Sequence, residues 1–280
     1  MSLKLAARAK INWSLAITGE RTDGYHELEM LMQRIDLADE LIFERAQVLS
    51  LSIDGQRLPT DGRNLILKAA DALCEVTGKR LGARIRLKKR IPSRAGLGGG
   101  SADCAAALLG LNELWNLKLS LPLLQKIGLK LGADVPFCLM GGFALAQGVG
   151  EILTPLPNPP RAALTLATPG GGLSTPAVFK AWNAGGFAPC PIDSAALADA
   201  LSAGDFAQAQ RLSRNDLEAP AMALMPEIAQ CMAAFKAAGA RFVRMSGSGS
   251  TVFAVFDGDA AAQAAAARVP GAIIAHTLAE

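Results

Sequence analysis

Four glycines stand among five residues in Gly96-Leu97-Gly98-Gly99-Gly100, and the chain then runs through Ser101 into an apolar helical pattern that begins near Ala102. Glycine lets backbone approach a phosphate closely, and the unpaired N–H groups at a helix N-terminus attract an anion. Two common phosphate fingerprints do not fit. A Walker A loop ends in Gly-Lys-Ser/Thr, and no lysine stands here; the dinucleotide pattern GxGxxG needs glycine where Ser101 stands. A hinge or a tight packing turn is the plain alternative, but so many glycines entering a helix favour nucleotide phosphate. A second loop, Ser246-Gly247-Ser248-Gly249-Ser250, lies between two apolar strands and offers hydroxyl and N–H donors. A Gly/Ser turn that merely joins two strands explains it equally well.

Single residues decide less. Lys10 lies on the polar side of an alternating pattern, where most lysines are simply solvated. Asp134 follows Gly132-Ala133, where a turn or capping role is the ordinary one. Tyr25, the one tyrosine, and His26, one of two histidines, adjoin an Asp23-Gly24 turn. With so few histidines, chemistry that needs a histidine cluster is excluded.

These residues need elements to position them. Leu5, Ala7, Ala9, Ile11, Trp13, Leu15 and Ile17 alternate with Arg8, Lys10, Asn12 and Ser14, which predicts a half-buried strand. Further strands are predicted at 41–44, 49–53 and 83–87, and a helix over 64–76. The basic run Arg84 to Arg90 alternates with Ile85 and Leu87 and predicts the solvated face of a strand. After the glycine loop come helices over about 102–115 and 121–132, the second with Pro122 in its first turn. A short strand follows the Gly141-Gly142 break. Residues 154–160 hold four prolines in seven residues and read as a linker. Beyond it lie a strand at 163–167, the loop Pro169–Gly172, weak alanine-rich helices and a helix over 226–238. Strands at 241–245 and 251–256 then flank the Gly/Ser loop, and a helix follows at 260–268.

The chain has 280 residues, is 51% hydrophobic and carries a net charge of +3. Such a chain has ample core material for one large or two small domains, and its charge is too small to suggest a nucleic-acid or membrane surface. Its five cysteines show no CxxC or CxxH spacing, which gives a zinc or haem site little support and predicts reduced, buried thiols. No apolar run reaches the ~18 residues that would span a bilayer, and no signal peptide is recognisable. A cytoplasmic protein is expected.

Several motifs occur together and in a recognisable order: Ala9-Lys10-Ile11-Asn12, Asp23-Gly24-Tyr25-His26, Pro92 to Ser101 and Gly132-Ala133-Asp134-Val135-Pro136-Phe137. Gly148-Val149-Gly150-Glu151 and Ser246-Gly247-Ser248-Gly249 complete the set. Over nearly the whole chain this resembles the GHMP kinase superfamily. The glycine loop carries the superfamily likeness; the other motifs narrow it to the branch whose substrate is a cytidine-diphosphate-linked methylerythritol.

The resemblance implies an α/β fold of two domains, with mixed or antiparallel sheets, helices and an active site in the interdomain cleft. It puts the ATP-binding domain at residues 1–153 and the second at 154–280, with the last strand able to return to the first. It further implies an ATP- and Mg²⁺-dependent kinase for a small-molecule alcohol in isoprenoid precursor synthesis, a monomer or weak homodimer without nucleic-acid or membrane partners. Asp134 is then the catalytic base and Lys10 its charged partner. Pro92, Ser93, Arg94, Ala95, Gly96, Leu97, Gly98, Gly99, Gly100, Ser101 and Ala102 cradle the ATP phosphates, and Asn64 and Leu65 meet the adenine end. Asn12 approaches substrate phosphate, and His26 bonds the cytosine edge. Tyr25 and Phe179 sandwich the cytosine ring beside Thr175 and Pro176, and Met32 forms a pocket wall. No residue is assigned as a metal ligand.

Where many members have Pro-Met-Gly-Gly-Gly, this chain has Pro92-Ser93-Arg94-Ala95-Gly96, a stiffer and more basic half-loop. Arg94 either adds a phosphate contact or covers the outer edge of the loop. Three other readings compete, one of them a Rossmann-type oxidoreductase, against which the loop pattern and the lack of an early βαβ run both argue. A homoserine, mevalonate or sugar kinase of the superfamily would not need Tyr25, His26 and Phe179 as a clamp. A non-catalytic nucleotide-binding protein on this fold would be favoured if Lys10 or Asp134 were missing, and both are present.

Overall fold

The alternating N-terminal segment forms β1 (Ser2–Glu20). In the computed structural model, which describes residues 2–22 and 24–278, Asp23 of the Asp23-Gly24 turn lies outside the described residues. After that turn comes β2 (His26–Ala46), much longer than the short strand predicted at 41–44. The chain divides into two units. One comprises residues 2–9, Leu37–Ile91 and Gly98–Gly141; the other comprises Lys10–Asp36, Pro92–Leu97 and 142–278. Both β1 and β2 contribute to each unit, so no single boundary along the chain separates the two.

In the first unit, β3 (Ser50–Asp54) runs parallel to β4 (Gly82–Lys88), which pairs antiparallel with the second half of β2. Arg84, Arg86 and Lys88 face solvent while Ala83, Ile85 and Leu87 are buried, as the alternation predicts. Helices α1 (Leu65–Thr77), α2 (Gly99–Leu114) and α3 (Leu121–Leu131), with the short α4 (Val135–Met140), supply the rest of the core. Phe43, Ile66, Leu73, Ile85, Leu108, Leu111 and Val135 are all buried in it. Asn64 starts α1 by accepting the Ile66 N–H at 3.0 Å, a cap of about 1 kcal/mol.

In the second unit, β5 (Phe143–Gly148) pairs antiparallel with the first half of β2 and with β6 (Ile152–Leu156). Residues 154–156, read as linker, are therefore the end of an edge strand, where Pro155 can lack an N–H without breaking a ladder. A four-stranded antiparallel sheet has the order β10-β7-β9-β8. Its strands are β7 (Ala163–Ala167), β8 (Phe242–Met245), β9 (Val252–Val255) and β10 (Ile273–His276). The final strand pairs with β7. The alanine-rich stretches form α5 (Thr175–Ala184), α6 (Ser194–Ser202), α7 (Phe206–Leu212), α8 (Glu218–Leu224), α9 (Glu227–Ala237) and α10 (Asp259–Ala266). Trp13 is buried edge-on to Phe242 and Phe253, with ring centroids 5.1 and 5.5 Å away, and its indole N–H donates to Gln33 at 2.7 Å. Cys104, Cys138 and Cys231 are buried and in no disulfide, but Cys190 is exposed.

Candidate active site

The glycine loop has its carbonyls and its amides in different situations. The Arg94 carbonyl accepts from Leu173 N–H at 3.0 Å, the Ala95 carbonyl from Thr251 N–H at 3.1 Å and the Gly96 carbonyl from the Ser246 hydroxyl at 2.9 Å. Among the described residues, the N–H groups of Arg94, Ala95 and Gly96 have no partner. Backbone φ is positive at Arg94 (54°), Gly96 (77°) and Gly98 (68°) but not at Ala95 or Leu97. Alternation of this kind turns successive N–H groups into one concavity, a nest for an anion. Gly96 is obligatory for a second reason: a Cβ there would stand 2.0 Å from the Ser246 carbonyl oxygen.

The Gly/Ser loop is thus more than a link between strands. Ser246 and Thr251 are fully buried and back the glycine loop from within the same unit. Asn215, which the sequence analysis did not single out, fixes that support. Its side-chain amide donates to the carbonyls of Met245 and Gly247, both at 2.8 Å, and its oxygen accepts the Leu217 N–H at 2.9 Å.

Lys10 and Asn12 share a face of β1 as predicted, but that face is buried rather than solvated: Lys10 is 4% exposed. Its N–H donates to the Leu97 carbonyl at 3.0 Å and its ammonium to Asn12 Oδ1 at 2.6 Å. The Asn12 N–H in turn donates to the Ser246 hydroxyl at 3.2 Å. Both expected site residues on β1 are therefore tied to the two loops.

A different cluster gathers His26, Phe179, Trp182 and Asn183. His26 stacks on Phe179 with ring centroids 5.1 Å apart and 20° between the planes, lies edge-on to Trp182, and pairs through Nε2 with Asn183 Oδ1 at 2.8 Å. One face of Phe179 is thus covered by His26, while Tyr25 is 65% exposed. Trp182 and Asn183 were not singled out, although their i+3 and i+4 spacing from Phe179 on a helix is a usable signal. Thr175, at the start of α5 next to exposed Pro176, pairs its hydroxyl with Ser248 at 2.8 Å. Met32 has no exposed surface, so it can shape a pocket only from behind other residues.

The first unit holds the remaining candidates. Asn64 spends its side chain on the cap of α1 and on the Pro59 carbonyl, 2.8 Å away, and its backbone N–H on the Asp61 carbonyl at 2.9 Å, so only a second bond to its own carbonyl, which already accepts the Lys68 N–H at 3.1 Å, is left for a base, with Leu65 beside it. Gly99, Gly100, Ser101 and Ala102 form the first turn of α2, so that helix begins inside the glycine loop. Asp134 is the N-cap residue of α4, half-buried, and caps with no side-chain hydrogen bond. A Cβ on Gly132 would lie 3.6 Å from the Ser101 hydroxyl, so the Asp134 turn and the start of α2 are neighbours.

Both flanks of the glycine loop are anchored in that unit by a buried charge cluster. The Lys89 ammonium bonds Asp103 Oδ2 at 2.8 Å and also bonds Asp39 Oδ2. The other Asp39 oxygen accepts the N–H groups of Arg90 and Ile91. Burial pushes the Asp103 carboxyl up to about 7, against the opposing pull of Lys89. Lys89 thus departs from the solvated face expected for the basic run.

Known proteins resemble this chain over most of its length. Family models for the GHMP kinase N-terminal domain and the GHMP kinase C-terminal domain match residues 64–142 and 197–273. A 4-diphosphocytidyl-2-C-methyl-D-erythritol kinase from Pelotomaculum thermopropionicum is 46% identical over 90% of this chain and 88% of its own. The protein of that name from Cereibacter sphaeroides is 48% identical over 93% and 91%. The chain belongs to this family of GHMP kinases. A crystal structure of 4-(cytidine 5'-diphospho)-2C-methyl-D-erythritol kinase superposes with a TM-score of 0.83 at 38% identity, covering 98% of this chain and 99% of that one. Homoserine kinase from Cytophaga hutchinsonii, at 22% identity and a TM-score of 0.76, shares the fold. The α/β reading and the kinase class are both borne out.

Proposed function

We propose that the chain transfers the γ-phosphoryl group of ATP to the 2-hydroxyl of 4-diphosphocytidyl-2-C-methyl-D-erythritol, in the non-mevalonate route to isoprenoid precursors. The observation that carries the kinase reading is the glycine loop, whose carbonyls at Arg94, Ala95 and Gly96 are engaged while the N–H groups of the same three residues are left to an anion. The acceptor is supported by the relatives and by the ring cluster at His26, which offers an aromatic face and a hydrogen-bonding edge.

Phosphoryl transfer needs mainly positioning and charge neutralisation. The nest holds the polyphosphate, and the N-terminus of α2 adds its dipole. Asp134 orients the acceptor hydroxyl and takes its proton as the new O–P bond forms and the bond from phosphorus to the ADP oxygen breaks. Lys10 contributes positive charge to the transferring group. Asn12 approaches the substrate phosphate; Tyr25, Thr175 and Pro176 flank the base; Asn64 and Leu65 meet adenine. Among the described residues no group of three acidic, histidine or cysteine side chains is placed to hold a metal. Ser101 is a candidate Mg²⁺ ligand by position, and phosphate and water oxygens would supply the rest. The same proposal assigns residues 1–153 to an ATP-binding GHMP kinase domain and 154–280 to a C-terminal GHMP kinase domain, in a cytoplasmic monomer or weak dimer. No described helix is long and apolar enough to cross a membrane.

The test is ADP release with Mg-ATP and the cytidine substrate, run beside homoserine, mevalonate and galactose. Turnover of the cytidine substrate alone is expected, and preference for another acceptor would refute the assignment. Phe179→Ala, which removes the platform under His26, is expected to raise the acceptor KM about 10-fold, the cost of one lost aromatic contact of about 1.4 kcal/mol. The KM for ATP should stay as it was. Equal rises in both constants would show that Phe179 serves the fold rather than the base.

A further inference from the structure

Only three non-glycine residues among those described have positive φ, and one of them, Arg94, opens the alternating run of the glycine loop at 54°. An L-residue is strained there, and such strain persists only where the surroundings over-determine it. They do: the Arg94 carbonyl is held by the Leu173 N–H at 3.0 Å, and it lies 2.7 Å from where a Cβ on Gly172 would stand. Glycine at position 94 would keep this backbone without the strain. The fold gains nothing visible from the side chain. Arg94 is exposed and, among the described residues, its guanidinium has no partner, so it is open to a ligand. The loop itself holds no lysine between Pro92 and Ala102.

We infer that the Arg94 guanidinium is a direct contact to the polyphosphate of ATP, supplying the cation that a loop built of amides lacks. Arginine suits the task, because its fork of donors matches phosphate oxygens two at a time. The inference rests on the reading of this loop as a polyphosphate nest. It also explains why a strained arginine stands where glycine would fold more easily: the cost falls on the free enzyme and is recovered when ATP binds.

The experiment compares Arg94→Gly and Arg94→Lys with the parent protein, measuring Tm together with the Kd of ATP and of adenosine. Arg94→Gly is expected to raise Tm by about 2–4 °C through release of strain. It should also weaken ATP about 10-fold while leaving adenosine binding unchanged. Arg94→Lys should recover part of the ATP affinity without the rise in Tm. Unchanged ATP binding in Arg94→Gly overturns the contact. Equal weakening of ATP and adenosine also overturns it, since the loop rather than the charge was then lost. If the parent binds ATP no better than adenosine, the nest reading itself fails, a result separable from either of these.

Discussion

Asp134→Asn is expected to fold as the parent does, to bind ATP and acceptor with nearly the same affinity, and to turn over about 10²- to 10⁴-fold more slowly, the range spanned by positioned general bases. The cap of α4 does not depend on the carboxylate. Helix α4 begins on backbone hydrogen bonds, from Val135 N–H to the Gly132 carbonyl at 3.1 Å and from Cys138 N–H to the Asp134 carbonyl at 3.0 Å, and its cap uses no side-chain bond. Asparagine has the same shape and can still orient a hydroxyl, but it cannot take the proton. The defect should therefore appear in kcat and in single-turnover rates, with KM values and Tm close to the parent's. A drop smaller than about 10-fold would remove Asp134 from the role of base. A drop accompanied by loss of ATP binding would mean that the carboxylate supports the neighbouring start of α2 instead.

Much of the frame was legible because it obeys simple periodicities. Period-two alternation marked the core of β1 and the exposed face of β4, and Asn64 before a helical pattern marked the start of α1. The failures have physical causes. The first half of β2 is buried on both faces from Met30 to Gln33, so no alternation survives there to be read. In α4, six mostly apolar residues between two glycine-bearing turns are too few to show helical spacing. Pro155 suggested a linker, although an edge strand tolerates it. Lys10 and Lys89 followed polar patterns into the interior, because what covers a strand is set by residues distant along the chain.

At the candidate site, the motifs identified the glycine loop, Lys10 and Asp134 by type, yet the supports of that loop came only with tertiary structure. Ser246 beneath Gly96, Asn215 beneath Ser246, and Asp39 with Asp103 around Lys89 are contacts across 14 to 150 positions of sequence. A serine or aspartate in such a place has no local signature. Phe179 shows the converse: the residue was named from resemblance, but its stacking partner in the structure is His26 rather than an open face.

Lys89→Met is expected to destabilise the protein by about 3–5 kcal/mol at pH 8, the usual result of removing one partner from a buried ion cluster. The side chains of Lys89, Asp39 and Asp103 are 2%, 0% and 6% exposed, so no water replaces the lost ammonium. Two buried carboxylates would then face each other uncompensated. In the parent protein burial already pushes the Asp103 carboxyl up to about 7, above its ordinary value of 3.8. The folded state therefore binds a proton that the unfolded chain has released. Its contribution to stability is fully present below about pH 4 and is lost as pH rises through about 7. Without Lys89 the folded-state value moves still higher, so the defect should shrink as pH falls towards 5.5 and the carboxyl can be neutralised. Urea unfolding at pH 5.5 and pH 8 measures this directly, and a defect of equal size at both would show that packing rather than charge is what Lys89 contributes. Adding Asp103→Asn should return part of the loss at pH 8, because only Asp39 then remains charged, with two backbone N–H groups to satisfy it. The double variant should nonetheless bind ATP less well than the parent. Lys89 stands three residues before Pro92, where the glycine loop starts, and Asp103 lies in the helix that follows it, so the cluster closes the loop's two flanks on one ammonium, and neutralising the charges does not restore that closure.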